Sequence, residues 1–211
     1  YKAGLFNIGV GGQYCLAIGV SLYCALGLHL PWWLCAIIAM LASAGWGAIV
    51  GCFKAFCSVN EVIACIMMNW ISLYIVNIMM HHENVMNFTL SESYQIKNIS
   101  PQSLIPSLGL SKLFHDNEYV TIAIPLTIII AILINIVLDK TTFGYELKAT
   151  GYNKNAAKYA GMKEKLNIIL TMAIAGALAG LASAFYYLTD IQQWKTSSSV
   201  PGMGFNGIAV A

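Results

Sequence analysis

Residues Asp139–Lys165 read DKTTFGYELKATGYNKNAAKYAGMKEK and hold six of the eleven lysines, at 140, 148, 154, 158, 163 and 165. Uncharged apolar runs flank the stretch, Tyr119–Leu138 before it and Leu166–Leu188 after it. Each is close to the roughly 20 residues that cross bilayer hydrocarbon. A polar, basic loop between two such runs must lie outside the lipid, and its length implies a task there. Asn153 is placed to cap a short helix running to Tyr159 or Ala160, and Gly161 to end it. Ala156, Ala157 and Ala160 leave one side of that helix small, a shape that fits a groove on a partner and can pass on a push. A loop that merely met anionic headgroups would explain the lysines but not the alanine–glycine pattern.

Composition sets the class. At 58 % hydrophobic and 9 % charged residues, the chain lies far from the usual globular share of about 25 % charged. The apolar blocks give an all-α, polytopic transmembrane helix bundle of about five spans, with the polar stretches 81–118 and 139–165 as outer region and inner loop of one domain, 1–211. No arginine is present, which weighs against sites needing a bidentate guanidinium fork. The net charge of +2 says little about partners, because its placement matters more than its size; membrane lipid is the expected surrounding and no nucleic-acid partner is expected. The six cysteines form no C-x-x-C pair, so neither a zinc site nor a disulfide framework is expected. The chain opens at Tyr1 and closes at Ala211 within a new apolar segment, and is read as a fragment lacking helices at both ends.

Span A, Phe6–Leu28, opens with LFNIGVGGQ, carrying Asn7 and Gln13 among glycines. That start is either a loop at a helix end or a broken, re-entrant helix of the kind that recurs at transport sites. Span B, Pro31–Phe53, has Trp32 and Trp33 at its head, as in an interfacial belt, and Gly47-x-x-x-Gly51 for close packing. After a loop at Lys54–Asn60, Ser58 and Glu61 have capping-box spacing ahead of span C, Val62–Met80, so Glu61 is assigned to capping rather than catalysis. Asn69, Trp70, Tyr74 and Asn77 of span C fall within an arc of about 140°. Amides and aromatics on one face suit a neutral polar solute; the competing use is hydrogen bonding between helices. Span D, Tyr119–Leu138, contains Pro125 as an expected kink. Span E, Leu166–Leu188, carries a second small-residue stripe, Gly176-x-x-x-Gly180.

Two lysines lie in His81–Glu118 against six in Asp139–Lys165. The positive-inside rule therefore places Lys54–Asn60 and Asp139–Lys165 in the cytoplasm and His29, His81–Glu118 and Asp190–Gly204 outside, consistent with five alternating crossings. No acid or base sits within a span, which disfavours proton coupling. No G-x-x-x-x-G-K-[ST] occurs, so ATP is not expected on this chain through a P-loop. His81, His82 and His115 read as solvated loop residues rather than metal ligands. No nucleophile–base pair is visible, which argues against a polytopic membrane enzyme.

GYELKATGYNKNAAKYAGM resembles the coupling segment of bacterial ABC-importer permeases of the branched-chain amino acid, ribose and nucleoside type. LFNIGVGGQ, SVNEVIACIMMNWISLYIVN, GALAGLASA and GMGFNGIAVA look like further blocks of that family in the same order, and NEVI with the following MNW and LYIVN is closest to the nucleoside and simple-sugar subgroup. Two positions depart from the family pattern: Gly11 stands where NIGxEGQ has an acid, and Asn206 where GFDGIAVA has aspartate. Both remove charge beside the presumed path and bear on the solute rather than the fold. The resemblance implies a plasma-membrane permease subunit that is not itself an enzyme. Its paired permease would often be a distinct chain. ATP and Mg would be bound by separate ATP-binding subunits, and a solute-binding lipoprotein or periplasmic protein would deliver a nucleoside or simple sugar. It also implies that Asn153–Gly161, with Ala156 and Ala157, seats in the ATPase groove beside Glu146, Lys148 and Gly151. Asn7, Gln13, Asn69 and Asn206 would lie along the solute path with Trp70, Tyr74 and Asn77. An ion-coupled secondary transporter is the competing class.

Overall fold

Five helices are long and apolar enough to cross a membrane in a computed structural model that describes residues 4–110 and 120–210, the side chains of 208–210 excepted. They are α1 (Val10–Leu22, continued by a π-helical turn Tyr23–Gly27), α2 (Trp32–Cys57), α3 (Glu61–Met80), α5 (Ala123–Lys140) and α8 (Glu164–Tyr187). Between them lie β1 (Met86–Asn87), β2 (Glu92–Ser93), α4 (Ile96–Ile99), α6 (Thr142–Tyr152) and α7 (Lys154–Tyr159), and α9 (Met203–Val210) follows. The polytopic helical reading of about five spans therefore holds. His115, Glu118 and the expected start of span D at Tyr119 lie outside the described residues.

The two small-residue stripes face each other. Down α2 run Ala39, Ser43, Gly47 and Gly51; up α8 run Ile169, Met172, Gly176 and Gly180. A Cβ on Gly47 would collide with the Met172 carbonyl, and one on Gly176 with the Ser43 carbonyl. At Gly51 it would lie 2.8 Å from the Ile169 Cα, and at Gly180 2.7 Å from the Ser43 Cβ. Lipid supplies no hydrophobic drive between helices, so this backbone-to-backbone contact is what holds the antiparallel pair. Both stripes serve packing within the chain.

α1 occupies the centre, with most of its residues buried. It runs parallel to α3: Gly12 lies against Asn69 and Gly19 against Val76. Because Asn69 and Ser43 sit near the middles of α3 and α2, α1 begins at mid-bundle rather than at a bundle end. α5 is different: only 6 % of its span window is buried, and Ile128, Ile129, Ile132 and Leu133 are exposed. Hollows of about 300 and 370 Å³, almost wholly apolar, separate it from α8.

One end of the bundle gathers the α2–α3 loop, α6 and α7; the Lys165 ammonium lies 5.1 Å from the Phe56 ring centre there. The other end gathers residues 81–110 and 190–200. β1 and β2 pair antiparallel, Met86 with Ser93 and Asn87 with Glu92. Lys195 bridges to Glu92, and their side chains make a 2.6 Å ion pair. Asp190 accepts the Ile96 and Lys97 amides at 3.2 and 3.3 Å, capping α4. The hairpin leaves no sequence signal, because its two-residue strands are too short to show an alternation.

Three local expectations change. The cap of α3 is Asn60, which accepts the Val62 amide at 2.9 Å. Ser58 instead ends α2 in a left-handed conformation, φ 54°, so the Ser58–Glu61 box does not form. Glu61 pairs with Lys54 at 2.6 Å, and Lys54 belongs to the last turn of α2, where a cation meets the helix dipole favourably. Pro125 lies in the first turn of α5, where its missing N–H removes no ladder bond and no kink is required.

Candidate functional site

Asn7, Gln13 and Asn69 meet at the start of α1. The first N–H groups of a helix have no partner within it, and here they are met by side chains from outside. Asn69 Oδ1 accepts the Gly12 amide at 2.8 Å, while Asn69 Nδ2 donates to the Ile8 carbonyl at 3.2 Å. Asn7 Oδ1 accepts the Gly9 amide at 3.0 Å, and Asn7 Nδ2 donates to Gln13 Oε1 at 3.0 Å. Gln13 is fully buried, and its Nε2 has no hydrogen-bond partner among the described residues. An unsatisfied buried donor costs about 1–3 kcal/mol, so this amide is a group waiting for an acceptor. Ser43 closes the cluster: its hydroxyl lies 3.0 Å from the Gln13 carbonyl and 2.7 Å from that of Gly176. One serine thereby joins α1, α2 and α8. A lone serine among small residues carries no signal of this in sequence.

Beside the cluster a cavity of about 440 Å³ opens between the start of α1, α8 and α9, with Asn7 and Thr171 as its polar groups and Val10, Met172, Ala179 and Gly207 among its walls. That volume is in the range of small-molecule sites. α9 begins beside the start of α1: a Cβ on Gly204 would lie 2.6 Å from the Gly11 Cα. Two helix starts thus meet inside the bundle, fed by irregular backbone, which is tolerated at membrane depth only where protein or water covers it.

The other path candidates lie apart. Trp70 and Tyr74 are exposed, 46 % and 61 %, on the side of α3 turned from α1. Asn77 Nδ2 donates to the Ser197 carbonyl at 3.0 Å, tying α3 to the chain that descends to α9, and its Oδ1 is buried without a partner among the described residues. Asn206 is exposed on α9.

In Asp139–Lys165, Asn153 accepts the Asn155 and Ala156 amides at 3.0 and 3.1 Å. It caps the helix α7, Lys154–Tyr159, and Gly161 follows at φ +80°. Ala157 is buried, whereas Ala156 and Ala160 are exposed; the small side is split between an inner contact and an outer surface. Tyr152, just before the Asn153 cap, and Tyr159, the last residue of α7, are 90 % and 94 % exposed, and the lysine spacing carries no sign of them. Lys148 pairs with Asp139 at 2.6 Å, and Glu146 gives its carbonyl to the Thr150 hydroxyl at 2.8 Å. Asn167 Nδ2 donates to Thr150 Oγ1 at 3.1 Å, a buried bond that braces α6 on α8. Gly151 ends that braced turn.

The model of the family described as branched-chain amino acid transport system / permease component matches residues 1–211. The nucleoside ABC transporter permease protein NupB of Lactococcus lactis is 36 % identical over 218 residues, covering 100 % of this chain and 59 % of that protein. The guanosine ABC transporter permease protein NupP of Bacillus subtilis is 34 % identical over 217 residues, 100 % of this chain and 60 % of that protein. The glucose ABC transporter permease protein TsgB13 of Haloferax volcanii is 26 % identical over 219 residues, 100 % and 57 % of the two chains. The chain thus spans about three-fifths of the length of the curated relatives it matches. No solved structure matches.

Proposed function

We propose a function from the premise that this chain belongs to the branched-chain amino acid transport system / permease component family, and hence lies in the membrane as a multi-pass protein. It translocates a neutral polar solute, a nucleoside by preference, through a bundle driven by a separate ATP-binding subunit. The single observation that carries this reading is α7. A capped helix, too short to stand alone, lies at the lysine-rich end of the bundle with Ala156, Ala160, Tyr152 and Tyr159 exposed in it and beside it. Such a surface suits insertion into a partner's groove, with tyrosines as the contact residues that dominate many interfaces. The lysine bias makes that end cytoplasmic, where ATP is available. ATP and Mg belong to the partner in this reading, since the sequence has no phosphate loop.

The nucleoside choice is supported by two relatives that match the whole of this chain at 34–36 % identity, a nucleoside and a guanosine permease, and by amides rather than charges at the start of α1. A glucose permease among the relatives makes a simple sugar the second reading. Two guanosine permease proteins of Bacillus subtilis both resemble this chain, which favours a distinct second permease over a homodimer. A solute-binding lipoprotein or periplasmic protein would dock on the hairpin end.

Co-purification tests the loop's role. Ala156→Arg and Ala160→Arg place a long cation on the outer surface of α7 without touching the buried Ala157. Each is expected to cut recovery of the ATP-binding subunit with the permease by about tenfold, a loss typical of a central interface residue. Undiminished recovery with both variants would remove α7 from the interface.

A further inference from the structure

We propose that Gly4–Gly9 is a strap through which movement of α6 and α7 is delivered to the amide cluster at the start of α1, gating the cavity beside Asn7. This rests on the reading of Asp139–Lys165 as the ATPase-facing loop. The segment is non-helical and short enough to act as a link, reaching about 20 Å when extended.

Its two ends touch the two regions that transport must connect. At one end Gly4, at φ +64°, lies backbone to backbone on Gly151, and a Cβ there would sit 2.6 Å from the Gly151 oxygen. Gly151 belongs to the last turn of α6, directly before the Asn153 cap of α7. At the other end Asn7 holds Gln13, and Asn69 holds the Ile8 carbonyl. Between the ends Leu5 is buried in a cluster with Val50, Cys65, Ile168 and Met172, which pins the strap as a fulcrum. A shift of α6 cannot occur without either breaking the Gly4–Gly151 contact or turning the segment about Leu5. Turning it withdraws Asn7 from Gln13, and Asn7 is a wall of the cavity. The buried, unpartnered Gln13 amide and the bonds to Asn69 then exchange partners at the moment the cavity changes shape. A segment that only filled space would need neither a left-handed glycine against a backbone carbonyl nor polar ties on both of its sides.

Two measurements test the strap. In the assembled transporter, Gly4→Ala forces a methyl into the Gly151 contact. ATP hydrolysis should stay within about twofold of wild type while solute moved per ATP falls about tenfold or more, within the usual range of coupling between sites. An unchanged ratio overturns the proposal. The second arm needs no transport. Thr150→Val cuts the Asn167 bond and loosens α6, and hydrogen exchange is followed in the peptide covering residues 5–14. Exchange at Gly9 and Gly12 is expected to rise about fivefold or more as the local opening energy falls; unchanged exchange overturns the link. If wild type shows no ATP-driven uptake, the proposed function fails and the exchange arm alone decides the strap.

Discussion

Gly176→Leu is expected to force α2 and α8 apart and to destabilise the bundle. At this position even a methyl meets the Ser43 carbonyl, and the Ala44 Cα is 3.4 Å away, so a branched side chain cannot be taken up by a rotamer change. The helices must separate. Separation strips contact from Gly47, Gly51 and Gly180 together and pulls the Ser43 hydroxyl from the Gly176 carbonyl. Overpacking alone costs about 1–3 kcal/mol, and loss of a buried bond adds about 1 kcal/mol. A fall in the unfolding midpoint of roughly 6–12 °C follows for a chain of this size, read in detergent by thermal unfolding of purified protein. Gly45→Leu is the control. It lies on the same helix, but its Cβ would meet nothing within 4 Å, and its midpoint should match wild type. Equal midpoints for the two variants would mean that the stripes are not the holding contact.

Asn69→Leu should be as damaging, by a different route. The side chain does two jobs at once, accepting from Gly12 and donating to the Ile8 carbonyl. Leucine fills the space but leaves both backbone groups buried and unpaired, at about 1–3 kcal/mol each. Because those groups belong to the start of α1 and the segment feeding it, the site is lost along with stability. Solute uptake should fall at least about tenfold, the loss expected when a positioning contact is removed. Ser72→Ala, one turn further along α3, removes only a hydroxyl that serves its own helix through the Asn69 carbonyl at 2.7 Å. That change should leave both midpoint and uptake near wild type. Full uptake in Asn69→Leu would mean that the amide cluster is not on the path.

The features that could be read from sequence are those fixed by local chemistry. Asn153 and Gly161 bound α7 where expected, because a cap and a left-handed stop act within a few residues. The glycine stripes predicted tight packing, because small residues four apart admit a neighbouring backbone whatever that neighbour is. Features that depend on tertiary register could not be read. The arc on α3 was correct as periodicity, yet periodicity alone does not say which edge turns inward; Asn69 is buried and Trp70 and Tyr74 are not. The Ser58–Glu61 spacing fitted a capping box, but Asn60, one residue nearer α3, supplied the cap while Ser58 ended α2. Nothing in the sequence around Gly4 signals its contact, and only its position against Gly151 gives it meaning. The start of α1 at mid-bundle was one of two open readings of LFNIGVGGQ, and choosing between them required knowing that Asn69 lies opposite.

Uptake by the assembled system tests the central claim most directly. The full chain is reconstituted in vesicles with its ATP-binding subunit, partner permease and binding protein, and labelled guanosine is followed with and without ATP and Mg. The account predicts accumulation that requires both, is competed by other nucleosides and not by glucose, and is lost with Ala156→Arg. Guanosine accumulation driven by an ion gradient in the absence of the ATP-binding subunit would contradict it.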